Sequence, residues 1–281
     1  MGVRLMTASL NTPETRPAVA WRVAAASVAG SAHLRRGLRC QDACYWRREG
    51  ETLMAAVADG AGSASHSDLG AFLATRTAVT RFSPPPEPDT PSADAVWKAA
   101  LRHAVESARH TVEREARTRG LRARDLASTL ILAVLSPGLT AAAHIGDGAA
   151  VAADGAGHLT ALTRPVQGEY ANETVFLTGR HALDDVQLSV HRTPAAYLAL
   201  LSDGLQMLAL TLSGEQPHGP FFTPFFRYMA GAPDEREGQR QLIRFLCSSR
   251  VRSRTDDDLT LLLAARGKPP CNCNDSARNN G

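Results

Sequence analysis

Three times in this chain an apolar run long enough for a buried strand stops on Asp-Gly. "LMAAVADG" delivers Asp59, "AAAHIGDG" delivers Asp147 and "YLALLSDG" delivers Asp203. In a fourth stretch, "RTDDDLTLLLAA", the acids Asp256, Asp257 and Asp258 come before the run instead of after it. In an antiparallel sheet the end of one strand lies beside the start of its neighbour, so these acids can share one rim. A single Asp-Gly is only a turn dipeptide; three at strand ends together with an acidic strand start are a pattern. The glycine after each acid permits a tight turn and lets backbone carbonyls approach a ligand.

Carboxylates gathered at one rim repel one another at low dielectric. Hard divalent cations relieve that repulsion, and an oxygen-only donor set suits Mg²⁺ or Mn²⁺. The histidines do not fall at zinc spacing. Two cations about 4 Å apart make hydroxide available at neutral pH and clamp a phosphoryl group. Asp59 is the candidate bridge between them, because "VADGAGSASHSDLGA" (57–71) surrounds it with Gly, Ala and Ser and leaves space for a hydrated ion.

The candidate strands are Leu53–Ala58, Leu130–Leu135, Thr140–Ile145, Ala149–Ala153, His158–Leu162, Thr174–Leu177, Val186–His191, Tyr197–Ser202 and Leu259–Ala265. Several are apolar at consecutive positions, as in sheets covered on both faces. Ser92 caps a helix along which Trp97, Leu101, Ala104, Ala108 and Val112 recur at helical spacing up to Gly120. Shorter helices are expected over Asp68–Thr80 and Glu237–Arg250. The order is not a regular βαβ alternation. It predicts an α+β domain of two sheets with helices outside.

Length and composition set the outer limits. The 281 residues are 44% apolar and 21% charged, with a net charge of +3, as in an ordinary globular chain with a sizeable core. That charge is too small to argue for nucleic acid, and the few aromatics offer no stacking groove. Leu126–Ile145 is long and uncharged, but Ser136-Pro137-Gly138 divides it into two strands joined by a turn, so no membrane helix is expected. The cluster Arg35, Arg36, Arg39, Arg47 and Arg48 reads as a solvated face, with anion binding as the sharper alternative. Cys40, Cys44 and His33 would give zinc three ligands with no obvious fourth, so packed free thiols are expected. Residues 1–17 read as a flexible leader, 18–266 as one domain, and 267–281, with Cys271 and Cys273, as a polar disordered tail.

With these residues in place, the sequence resembles the metal-dependent Ser/Thr protein phosphatases, the type 2C or PPM family. The motifs stand in family order over residues 20 to 266: "CQD" (40–42), "VADGAG" (57–62), "STLILAV" (128–134), "HIGDG" (144–148), "LLSDGL" (200–205) and "DDLT" (257–260). "GSAH", "DGAGSA" and "GEYANET" (168–174) resemble the bacterial subgroup. The resemblance implies a four-layer αββα sandwich of two mainly antiparallel sheets flanked by helices. It implies hydrolysis of phosphoserine or phosphothreonine by a metal-activated water bridging two Mg²⁺ or Mn²⁺ ions, without a phosphoenzyme. Asp59 would bridge the two metals, the Gly60 carbonyl would bind one, and Asp203 with Asp257 would hold the other. Asp42 would act in the outer shell through water, and Asp147 with Asp203 would hold a third, loosely bound ion. The implied partner is a cytoplasmic phosphoprotein, the substrate of a Ser/Thr kinase.

Two positions depart from the family pattern. Where members carry a phosphate-holding Arg, five residues before the "CQD" aspartate, this chain has Gly37; Arg36, Arg39 or His33 is the substitute. Where some members carry a general-acid His, two residues after the bridging Asp, it has Ala61, and His66 nearby reads as a surface residue. These departures leave a pseudophosphatase or phosphoprotein-binding module as the alternative to an enzyme. The segment between Tyr170 and Asp185 falls where bacterial relatives carry a mobile flap.

Overall fold

The computed structural model describes residues 20–85, 93–165, 174–211 and 216–267. The expected leader 1–17, the Ser92 cap, most of "GEYANET" and the tail from residue 268, with Cys271 and Cys273, lie outside them.

The central apolar runs form strands because they bury both faces. Strands β1 (Ala20–Val28), β2 (Ala43–Glu49), β3 (Thr52–Ala58), β4 (Leu130–Ser136) and β5 (Leu139–Ile145) precede β6 (Ala149–Ala153), β7 (Leu159–Ala161), β8 (Gln187–His191), β9 (Tyr197–Leu201) and β10 (Leu259–Gly267). They make two five-stranded sheets, ordered β1-β10-β9-β6-β7 and β2-β3-β4-β5-β8. Each pair of neighbouring strands in these sheets runs antiparallel. Helices α1 (Ser31–Arg35), α2 (Ser67–Arg81), α3 (Ala93–Thr118), α4 (Gln206–Ala209), α5 (Gly219–Gly231), α6 (Glu235–Leu246) and α7 (Ser249–Arg252) complete the chain.

Strand alternation divides the interior into three cores. Met54 and Ala56 of β3 and Leu130, Leu132 and Val134 of β4 face α2 and α3, where Trp97, Leu101 and Val105 pack. Leu53, Ala55 and Val57, with Ile131 and Ala133, face the other sheet and meet Leu198, Leu200 and Leu262. Leu261 and Leu263 of β10 turn to the opposite side, against Phe222 and Phe226 of α5 and Leu242 and Leu246 of α6. The order helix, sheet, sheet, helix is the expected four-layer sandwich.

Several boundaries differ from the sequence reading. Thr174–Leu177 does not form a strand; Thr174 makes an isolated bridge and Leu177 N is bonded to Ser128 O at 2.8 Å. The helix expected over Glu237–Arg250 stops at Leu246, and a separate turn, α7, follows Ser248. Strands β1 and β2 have no counterpart in the sequence reading, nor has α5, which contains Pro224. The stretch 126–145 becomes β4 and β5, joined at Gly138 with φ of 76°. The arginine cluster is not one solvated face. Arg48 donates to Glu235 at 2.7 Å and to Trp21 O at 2.7 Å, and Arg47 donates to Phe82 O at 3.1 Å.

Leu101 is fully buried between α3 and β4's sheet. Truncation to Ala removes its contacts and leaves a cavity, so Leu101→Ala is expected to lower unfolding stability by about 2–5 kcal/mol. Urea denaturation checks this; an unchanged midpoint would contradict the assignment of α3 to that core.

Candidate active site

Four chain segments meet at one end of the sandwich. Strand β3 carries Asp59 just past its last residue, and the ladder to β4 continues beyond the strand: Thr129 N donates to Asp59 O at 2.8 Å and Asp59 N donates to Thr129 Oγ1 at 2.9 Å. Asp147 sits on the turn Gly146-Asp147-Gly148, where the chain leaves β5 in one sheet for β6 in the other. Gly146 has φ of 118° and Gly148 packs so closely on Leu201 O that a Cβ would stand 2.6 Å from it. The glycines of these acid turns are therefore required by space as well as by conformation. Asp203 follows β9, and a Cβ on Gly204 would meet Asp258 O at 2.2 Å.

One carboxylate oxygen from each of Asp59, Asp147 and Asp203 lies within 4.8 Å of the others. Asp42 joins them from the turn before β2, buried, with Ser202 Oγ donating to its Oδ2 at 2.7 Å. Thr174 Oγ1 donates to Asp147 Oδ2 at 2.7 Å, and the Gln206 amide donates to the Asp147 carbonyl. Among the described residues, Asp42 Oδ1, Asp147 Oδ1 and Asp203 Oδ1 are buried and have no hydrogen-bond partner. Unpaired carboxylate oxygens in and beside such a group fit a hard divalent cation.

The cluster's electrostatics carry the same signal. Burial pushes the Asp59 carboxyl well above the usual range, and Asp42 and Asp203 beside it push the same way. Burial raises Asp42 to about 7, although hydrogen bonds from Ser202, Asp59 and Thr260 oppose it. Burial raises Asp203 to about 6, with the charges of Asp147 and Asp257 adding to the effect and a hydrogen bond from Asp59 opposing it. These are groups crowded with like charge and short of water.

The other expected residues fall as follows. Asp257 is exposed and its Oδ1 accepts from Asp258 N at 2.8 Å; it acts on Asp203 by charge but is not one of the three mutually close carboxylates. Gly60 lies against Gln41 O, where a Cβ would be 2.6 Å away. Arg36 is exposed at the C-terminal cap of α1, and its guanidinium has no partner among the described residues. His66 precedes α2, its N–H bonded to Asp125 O and its Nδ1 to Ser65. His144 is buried within β5, and burial holds it down to about 4. Cys40 and Cys44 are free thiols pushed up by burial, and no zinc-like group of ligands occurs at them among the described residues.

Sequence reasoning misses the supporting residues. Ser202 and Thr129 lie inside quoted motifs, yet they look like ordinary strand residues. Asp258 is 2% exposed, and its carboxylate accepts from Gly30 N at 2.7 Å, Gln41 N at 2.6 Å and His33 Nδ1 at 2.8 Å. The acidic triplet is visible in the sequence, but not which of its members faces inward.

The sequence matches the family model described as protein phosphatase 2C over residues 29–247. Serine/threonine-protein phosphatase 3 of Escherichia coli (strain K12) is 37% identical over 253 residues, 88% of this chain and 98% of that protein. Among solved structures, the serine/threonine phosphatase Stp1 from Staphylococcus aureus superposes with a TM-score of 0.59 at 15% identity, covering 91% of this chain and 99% of that one. The catalytic domain of the phosphatase PstP, in complex with two manganese ions, gives a TM-score of 0.56 at 19% identity, covering 88% of this chain and 98% of that one. At such identities the structural likeness speaks for the fold.

The raised carboxyls set a pH dependence for the metal-free protein. A folded pKa above the unfolded value means that the folded state binds protons more tightly, so this stability is present below about pH 4 and is lost as pH rises through about 6 to 7. Wild type is therefore expected to lose stability relative to Asp203→Asn between pH 4 and 7 in EDTA. Paired thermal melts check this; parallel curves for the two proteins would count against the shift.

Proposed function

The chain belongs to the protein phosphatase 2C family, and from that premise we propose that it hydrolyses phosphoserine and phosphothreonine with two Mg²⁺ or Mn²⁺ ions held at the rim built on Asp59. It is a serine/threonine protein phosphatase; the metal requirement and the residue roles are the proposed part. The observation that carries them is the convergence of Asp59, Asp147 and Asp203 within 4.8 Å, with buried carboxylate oxygens left unpaired.

Asp59 and the Gly60 carbonyl are assigned to the paired ions, with Asp203 and Asp257 completing one of them and Asp42 acting through water. Asp147 with Asp203 is assigned a third, weaker ion. When bound, such cations lower the pKa of water and stabilise charge on phosphoryl oxygens. The remaining work belongs to the protein. Thr129 fixes the Asp59 backbone, Ser202 orients Asp42, and Thr174 and Gln206 hold Asp147 in the cluster. Asp42, buried beside Asp59 and oriented by Ser202, would act through water in the outer shell. Ala61 leaves no side-chain acid at the family's histidine position, so the leaving alkoxide would take its proton from water.

The substrate is proposed to be a protein phosphorylated by a Ser/Thr kinase, met in the cytoplasm by a phosphatase domain spanning residues 18–266. No helix among the described residues is long and apolar enough to cross a membrane.

The test is hydrolysis of p-nitrophenyl phosphate and of a phosphothreonine peptide. Turnover is expected with Mn²⁺, is lost in EDTA, and falls by about 100-fold or more in Asp59→Asn. Turnover indifferent to EDTA would sink the two-metal reading.

A further inference from the structure

The α1 segment "GSAHLRRGLRC" ends in the "CQD" turn and lacks the expected phosphate-holding Arg, yet it is bolted to the acidic strand start by close contacts. Ala32 N donates to Asp256 O at 2.9 Å, and Gly30 packs so tightly that a Cβ would stand 2.2 Å from the Asp257 carbonyl. Asp258 accepts from Gly30 N, Gln41 N and His33 Nδ1, which occupies both of its oxygens. His33 is 9% exposed and cannot swing away. A buried carboxylate on Nδ1 fixes the ring's tautomer and direction.

That leaves Nε2. Among the described residues it has no hydrogen-bond partner, and it is not one of the sealed, unpaired buried atoms, so it faces solvent. The His33 ring also lies within charge reach of Asp257, at the edge of the proposed metal rim. By contrast, Arg36 and Arg39 are exposed, and among the described residues no hydrogen bond or ion pair orients either guanidinium. Arg35 leans on Asp256 at 3.4 Å with both groups largely in solvent.

We propose that His33 contacts the substrate phosphate through Nε2, with Asp258 as the residue that positions it. This rests on the phosphatase reading above and names its phosphate-recognition group. A ring pre-set by a buried acid needs no side-chain ordering when substrate arrives, which an exposed arginine would require.

Inorganic phosphate, the product, is the probe. Its inhibition constant against p-nitrophenyl phosphate with Mn²⁺ is compared among wild type, His33→Ala and His33→Gln, with Mn²⁺ affinity measured by calorimetry. Glutamine keeps a donor for Asp258, so it guards against a result that merely reports loss of fold. The expected result is a rise of roughly 10-fold or more in phosphate Ki and in KM for both variants, with Mn²⁺ affinity unchanged. An unchanged Ki overturns the proposal, as does an equal loss of Mn²⁺ affinity, which would make His33 a support for Asp257 instead. A larger effect in Arg36→Ala or Arg39→Ala than in His33→Gln overturns it too. Direct calorimetry of phosphate on the Mn²⁺-loaded proteins answers the same question without turnover. A catalytically silent wild type would therefore sink the parent reading while His33 is still decided.

Discussion

The structure is organised around a repulsion. Asp42, Asp59 and Asp203 are drawn from three separate segments into a space poor in water, where burial raises the pKa of all three and the charges of neighbouring acids add to the effect. Nothing local would bring them together. They converge because β3 and β9 end there and β2 begins there, and the central strands are held by apolar faces. The sandwich is thus a device for enforcing proximity among groups that would otherwise separate, and the energy for it comes from burial of Leu, Val and Ala far from the rim.

Polar contacts then fix orientation, which burial alone cannot do. Ser202 ties Asp42 to β10 by donating to the carboxylate while accepting from Thr260 N at 3.0 Å. Asp258 performs a related task at the neighbouring edge, drawing α1 and the start of the "CQD" turn onto the beginning of β10. The acidic triplet therefore divides its labour by depth. Asp258 points inward and builds, Asp257 stands at the rim, and Asp256 is exposed toward Arg35.

Much of this is legible in the sequence because the central strands are buried on both faces and announce themselves as unbroken apolar runs. Two of the edge strands, β1 and β2, are not. In β2, "ACYWRRE" carries two arginines, and in β1, "AWRVAAASV" carries Arg22 and a series of alanines. Strands covered on one side only need less apolar character, and charge at an edge is tolerated or useful. Helix α5 is hidden by Pro220 and Pro224; the first sits in the opening turn, where its missing N–H costs nothing, and the second is held by the aromatic packing of Phe221, Phe222, Phe225 and Phe226. At the site, the Asp-Gly turns are readable as a group, but the phase of "DDD" is not, because one residue of slip decides which acid is buried. The sequence names His33 beside Arg36 and Arg39 as a substitute for the missing Arg but does not choose among them, because the partner that holds His33 lies 225 positions away.

The seam between the sheets is lined to an unusual degree by alanine: Ala55, Ala133 and Ala142 from one side, Ala150, Ala152 and Ala264 from the other. Asp59 extends from the first sheet, Asp203 from the second, and Asp147 from the turn that joins them. The two sheets are therefore the jaws of a caliper, and the carboxylates are its tips. Small side chains let the two sheets approach closely, so volume added in the seam would act on the spacing of Asp59 and Asp203 as well as on the core.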